Sequence, residues 1–172
     1  LQINSYARNI IGFSNSDSIN LLIITNAMGI PMRPIAGYIA DRWTGPINLF
    51  ITALAAVFAI LYSWTAVTTR TGMYVFSVVY GLSIGANQGL FVASLTSLTK
   101  DPQKMGVRFG MVETLSALAT VAGAPTAGAI IDHDHGNYFW AQIWGGSVMA
   151  AATVIFISCR ISVTGWKLWA KV

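Results

Sequence analysis

The stretch "ITALAAVFAILYSWTAV", residues 51–67, carries no charged residue at any position. A helix in the core of a soluble protein would show a charged face every three or four residues, so this pattern fits a segment surrounded by hydrocarbon. A helix needs about 20 apolar residues to cross about 30 Å of hydrocarbon at 1.5 Å per residue. Working outward from 51–67, runs of that size fall at about 18–40, 47–68, 72–99, 108–131 and 140–160. The connections between them, "DRWTGP", "TRTG", "KDPQKMG" and "DHDHGNY", are too short to hold another domain and imply antiparallel neighbours. The expectation is an all-α membrane protein of five transmembrane helices in one bundle. Residues 1–17 precede the first span, and residues 161–172 form a tail.

Composition agrees, with 55% of the 172 residues hydrophobic and 9% charged, against roughly 25% charged in an ordinary soluble domain. The Lys and Arg residues are scattered singly, which gives no footprint for nucleic acid. The single cysteine, Cys159, lies in an apolar segment and supports no disulfide framework. The chain starts at Leu1 without a charged leader and short apolar core, so no signal peptide is expected and the start reads as the middle of something longer.

Alternating loops place Arg42, Lys100, Lys104, Arg108, Arg160, Lys167 and Lys171 on one side, with Arg8 and Arg70 on the other. That bias sets the first side, with the carboxyl terminus, in the cytoplasm. Trp64, Trp140, Trp144, Trp166 and Trp169 fall near span ends, as interfacial aromatic belts do.

Polar groups are expensive in a bilayer and tend to face the bundle interior. The second and fifth spans carry few of them. The first has Asn26 and Arg33, the third Asn87 and Gln88, and the fourth Glu113, Thr114 and Thr120, so spans one, three and four are expected to line a polar pathway. Gly81, Gly85 and Gly89 repeat at every fourth position, as do Ala119, Gly123 and Ala127, giving two helices small faces for close backbone approach. The third span, about 28 residues long, exceeds what a perpendicular helix needs and should tilt or bend at its glycines. Pro125 offers the fourth span a similar hinge.

Arg33 stands between Pro31 and Pro34. At 100° per residue, Asn26, Gly29, Arg33, Gly37 and Ala40 lie within about 40° of one line, and Ile24, Met28, Pro31, Ile35 and Tyr38 lie opposite. The prolines free backbone carbonyls, and the glycines leave the guanidinium unshielded, which suits an anion held by a bidentate fork. Three roles fit these residues: gripping a substrate carboxylate, a structural ion pair with Glu113 or an acid elsewhere, or snorkelling to the cytoplasmic edge.

At "GYIADRWTG" the residues meet a known pattern. Gly37, Asp41, Arg42 and Gly45 resemble the cytoplasmic loop motif of the major facilitator superfamily, although Pro46 and Ile47 replace the motif's terminal basic pair. "RPIAGYIADR" resembles the eighth helix of monocarboxylate transporters. "KDPQKMGVRFGMVETLSALATVAGAPTAGAIID" resembles their loop into the eleventh helix, and "DHDHGNYFWAQIWGG" the turn into the twelfth. "KMGVRFGMV" looks fungal, and "LQINSYARNIIGFSNSDS" looks like the end of the seventh helix and its outer loop.

This resemblance implies helices eight to twelve of a twelve-helix transporter whose two six-helix halves rock around a central site, with the amino-terminal half absent. It implies that Arg33 engages a substrate carboxylate, with Asn26, Asn87 and Gln88 lining the same cavity. Asp41 and Arg42 would latch the halves together at the cytoplasmic side, with Glu113 a further gate. Animal members place an acid four residues before the arginine for proton coupling. Gly29 stands there in this chain, which leaves coupling open.

The expected partners are the lipid bilayer, a small carboxylate, and the missing half of the same protein. The plasma membrane is the expected location. A non-transporting sensor of the same fold and an inactive remnant are the alternatives. "DHDH", residues 132–135, offers adjacent ligands in an outer loop, which rarely close a tetrahedral metal site, so no metal is expected. No nucleophile and base pair or phosphate-cradling loop is present, so neither an enzyme nor a cofactor is expected.

Overall fold

The computed structural model describes residues 3–99 and 101–164, with the side chains of residues 163 and 164 excepted. Lys100, Trp166, Lys167, Trp169 and Lys171, invoked above for orientation and belts, lie outside the described residues. Six helices follow one another: α1 (Ile3–Asn9), α2 (Asn15–Ile39), α3 (Pro46–Ser63), α4 (Arg70–Ser97), α5 (Met105–His133) and α6 (Phe139–Thr164). The five from α2 to α6 are long and apolar enough to cross a membrane. The described residues contain no strand.

Local chemistry sets the helix ends. The Ser14 hydroxyl accepts from the Asp17 amide at 3.1 Å and the Thr69 hydroxyl from the Gly72 amide at 3.1 Å, capping α2 and α4. After Ile39 the chain widens into a π-helical turn, Ala40–Thr44, closed by the Gly45 amide donating to the Ala40 carbonyl at 2.8 Å. Gly45 has φ +81°, which a side chain would disfavour, so glycine ends this turn and aims Pro46 into the first turn of α3. The helix runs unbroken through Pro31 and Pro34 in α2 and through Pro125 in α5.

The helices form a row, with α2 on α4, α4 on α3, α3 on α6, and α5 against α6 at the end. α1 lies against α2. Two apolar clusters sit at opposite ends. Tyr6, Leu21, Val57, Trp64, Met73, Phe76 and Tyr138 belong to the cluster near the "DHDHG" turn. Ala36, Ala40, Phe50, Leu54, Ala86 and Leu90 belong to the cluster near the "DRWTG" turn. Hydrocarbon is as apolar as these side chains, so tight packing and hydrogen bonds, rather than water exclusion, hold such helices together.

Trp64 stands at the end of α3, where the sequence put it, and packs inward: it is 4% exposed, with its ring stacked on Phe76 and edge-on to Tyr6. Among the described residues the exposed tryptophans are Trp140 and Trp43, the latter inside the loop motif. Burial within these helices does not follow the polar count: α3, with few polar groups, buries six residues between α4 and α6, whereas α5, expected to line the pathway, buries Ile131 among its described residues. Polarity marks a face that some partner must meet, and it does not say whether that partner is in these residues.

Candidate functional site

The closest helix pair is α2 with α4, and glycine makes it possible. A Cβ added to Gly81 would collide with the backbone of Thr25, one on Gly85 with Gly29, and one on Gly89 would come 2.6 Å from the Arg33 carbonyl oxygen. The three glycines of α4 thus meet Thr25, Gly29 and Arg33, a ladder of the same spacing on α2. Gly29 is itself buried: a Cβ there would lie 3.3 Å from the Gly81 carbonyl oxygen and 3.6 Å from the Gly85 Cα. Gly29 thus faces the α4 backbone closely rather than an open cavity.

Arg33 sits on the flank of this seam. Its backbone presses on Gly89 while its side chain is exposed, and its Nη2 donates to the Gln88 side-chain oxygen at 2.5 Å. Among the described residues no carboxylate pairs with Arg33, so neither the expected ion pair with Glu113 nor any other is formed here. The bond fixes one arm of the guanidinium and leaves the rest of the fork to receive an oxyanion.

The other three predicted lining residues divide. Gln88 joins Arg33. Asn26 is exposed two turns away on α2, with its amide donating to its own helix at the Leu22 carbonyl at 2.8 Å. Asn87 does not join them, because one residue of helix is a 100° step and turns it toward α3. Its amide donates to the carbonyls of Ala53 and Ser83, both at 3.0 Å, and it is 7% exposed. It ties α4 to α3.

Glu113, read as a gate, lines a recess of about 410 Å³ together with Asn87, Gln88, Phe91 and Met149. Gln88 therefore holds Arg33 on one side and borders the Glu113 recess on the other. Asp41 and Arg42 are exposed in the π-helical turn two helical turns beyond Arg33, where Arg42 donates to the Tyr38 hydroxyl at 3.3 Å. At the same end Arg160 of α6 donates to the Asn48 side chain, and Arg108 donates to the Leu98 carbonyl at 3.1 Å. Arg70, at the opposite end, donates to the Gly12 carbonyl at 2.7 Å and lies over the Phe13 ring. Gly123 and Pro125 of α5 meet no neighbouring helix as closely as the α4 glycines do: a Cβ on Gly123 would have nothing within 4 Å, and Pro125 is exposed.

No family model matches the chain, and no solved structure matches it. Curated proteins do. The chain is 36% identical over 162 residues to an MFS-type transporter of Gibberella zeae, covering 93% of this chain and 36% of that protein. It is 31% identical over 150 residues to the aspyridones efflux protein of Emericella nidulans, covering 87% of this chain and 30% of that one. It is 30% identical over 166 residues to the riboflavin transporter of Saccharomyces cerevisiae, covering 93% of this chain and 31% of that one. The chain thus spans about a third of the length of the curated relatives it matches. All three are named for transport and none for catalysis. Five membrane-length helices, matched over nearly their whole extent by fungal MFS-type transporters, support a place for this chain in the major facilitator superfamily.

Proposed function

We propose that the chain is the carboxyl-terminal part, helices eight to twelve, of a twelve-helix transporter that moves a small organic anion across the membrane by alternating access. The observation that carries the reading is the Arg33 guanidinium, exposed on the flank of the α2–α4 seam, oriented by Gln88 and paired with no carboxylate of the described residues. A planar fork held by one neutral partner keeps its charge for a ligand, and burying such a charge at mid-membrane without one costs about 2.5–3.5 kcal/mol on insertion scales. Asn26 extends the polar flank outward. Asp41, Arg42 and Glu113 act at the cytoplasmic end as contacts that open and close against the other half, with the carboxyl terminus in the cytoplasm and the plasma membrane as the site of action.

The relatives favour a second reading of the solute. Riboflavin, named for one of them, is far larger than a monocarboxylate, and the aspyridones protein is named for efflux. A larger oxygen-rich solute bound at the same arginine fits those names.

Labelled uptake and efflux in vesicles containing the full-length protein, tested with monocarboxylates and with riboflavin, would decide between them. Arg33→Lys removes the bidentate grip and should cut transport of the true anionic substrate by at least tenfold. Unchanged transport of every solute tried would remove Arg33 from the site.

A further inference from the structure

Arg33, Gln88 and Glu113 stand at one level of the bundle. α2 and α4 run parallel, since Gly81, Gly85 and Gly89 meet Thr25, Gly29 and Arg33 in that order, and α5 returns from the end at which α4 stops. Arg33 lies six residues before Ile39, Gln88 nine before Ser97, and Glu113 eight after Met105. At 1.5 Å per residue the three are about 9, 14 and 12 Å deep, measured from the side of the "DRWTG" turn.

Gln88 borders both charges and keeps them apart. Its side-chain oxygen accepts from Arg33, and it lines the recess of about 410 Å³ that Glu113 lines from α5. Phe50 and Leu54 of α3 and Met149 of α6 complete an apolar bed for that recess, and α5 packs on α6 rather than on α4. Glu113 is exposed and, among the described residues, takes part in no ion pair or hydrogen bond. A carboxylate over apolar side chains inside a membrane is costly until a donor meets it, and such residues mark solute or ion pathways.

On the proposed reading of Arg33 as the seat of a carboxylate, we infer that Glu113 is the second anchor of the same solute. The solute is an elongated organic acid with a hydrogen-bond donor, a hydroxyl or an amine, at the end remote from its carboxylate. Its acid end takes the remaining part of the Arg33 fork, and its far end donates to Glu113, which when ionised offers acceptors only. Packed helix axes stand about 8–10 Å apart, and α4 and α5 flank an open recess, so the solute reaches at least that far. A larger, oxygen-rich solute meets this requirement and a two- or three-carbon acid does not. Glu113 closes over the solute as the halves approach, so gating and recognition are one contact.

The test measures labelled uptake into vesicles containing the full-length protein. The probes are hexanoate, 6-hydroxyhexanoate, 6-aminohexanoate and hexanedioate, acids of one length that differ only at the far end. A hydrogen bond to a charged group corresponds to about tenfold or more in affinity. The hydroxy and amino acids should therefore show a KM at least tenfold below that of hexanoate, with hexanedioate weakest because its second carboxylate meets Glu113. Glu113→Gln should abolish the advantage of the amine, and Glu113→Lys should make hexanedioate the best of the four. That gain cannot come from a variant that fails to fold. A wild type indifferent to the far end, or a preference that neither variant alters, overturns the proposal and leaves Glu113 as a contact of the other half. Indifference to the far end combined with a loss in Arg33→Lys would fail this inference alone. A preference set by residue 113, with Arg33→Lys changing the uptake of no probe, would instead fail the Arg33 reading and with it the placing of the acid end.

Discussion

The Arg33 guanidinium of α2 and the Gln88 side-chain oxygen of α4 meet at 2.5 Å across a seam that glycine backbones make close enough for the bond. A neutral partner orients the charge without cancelling it. Gln88→Glu would place a carboxylate on the guanidinium and occupy the fork, so the full-length transporter should lose apparent affinity for its anionic substrate by about tenfold, or about 1.4 kcal/mol. Gln88→Leu keeps the charge and loses only its orientation, so a smaller rise in KM is expected. If Gln88→Glu transports as wild type, with an unchanged concentration dependence of uptake, Arg33 does not bind the anion.

Close approach at Gly85 leaves no room for a methyl group. A Cβ there would overlap the Gly29 backbone, so Gly85→Ala must push α2 from α4, and overpacking of this kind costs about 1–3 kcal/mol. Gly110→Ala, where a Cβ meets nothing within 4 Å, serves as the control. Thermal unfolding in detergent should show a clear drop for Gly85→Ala and little change for Gly110→Ala. Equal midpoints would mean the seam is looser than drawn.

Asn87 differs from its neighbour in what it controls. Its amide bonds the Ala53 carbonyl of α3, and interhelical hydrogen bonds in membranes contribute about 0.6–1.7 kcal/mol. Asn87→Leu should therefore lower the unfolding midpoint while leaving KM for substrate near wild type. A large KM change with undisturbed stability would return Asn87 to the binding site.

The spans were legible because uncharged runs of membrane length admit one reading, and all five recur as helices, with ends moved by a few residues where Ser14, Thr69 and Gly45 set the caps. Arg33 could be picked out because a charge between two prolines in an apolar run calls for a reason. Spacing alone could not separate Gln88 from Asn87: both are amides in one span, and only the position of α3 decides which turns inward. The partner of the α4 glycines was equally hidden, since a ladder announces a close neighbour without naming it, and Gly29, on the same small and polar stripe as Arg33, faces the α4 backbone rather than opening space beside the guanidinium. At position 29 itself the fit is less strict, since an added Cβ would lie 3.3 Å from the Gly81 carbonyl oxygen, so a side chain there would need the seam to yield by a few tenths of an ångström.

The loop between α4 and α5 closes through Arg108, whose guanidinium donates to the Leu98 carbonyl at 3.1 Å at the carboxyl end of α4. A cation at the negative end of a helix typically contributes about 0.3–1 kcal/mol when exposed, and salt screens it. The neighbouring Lys104–Asp101 pair, at 3.8 Å and open to solvent, should contribute less. Arg108→Ala is expected to lower the unfolding midpoint at low salt, with the difference shrinking as salt rises. Arg108→Lys should recover part of the loss, because it keeps the charge but not the fixed fork. A loss independent of salt and not recovered by lysine would show that Arg108 acts through packing, and no loss at low salt would remove it as a cap.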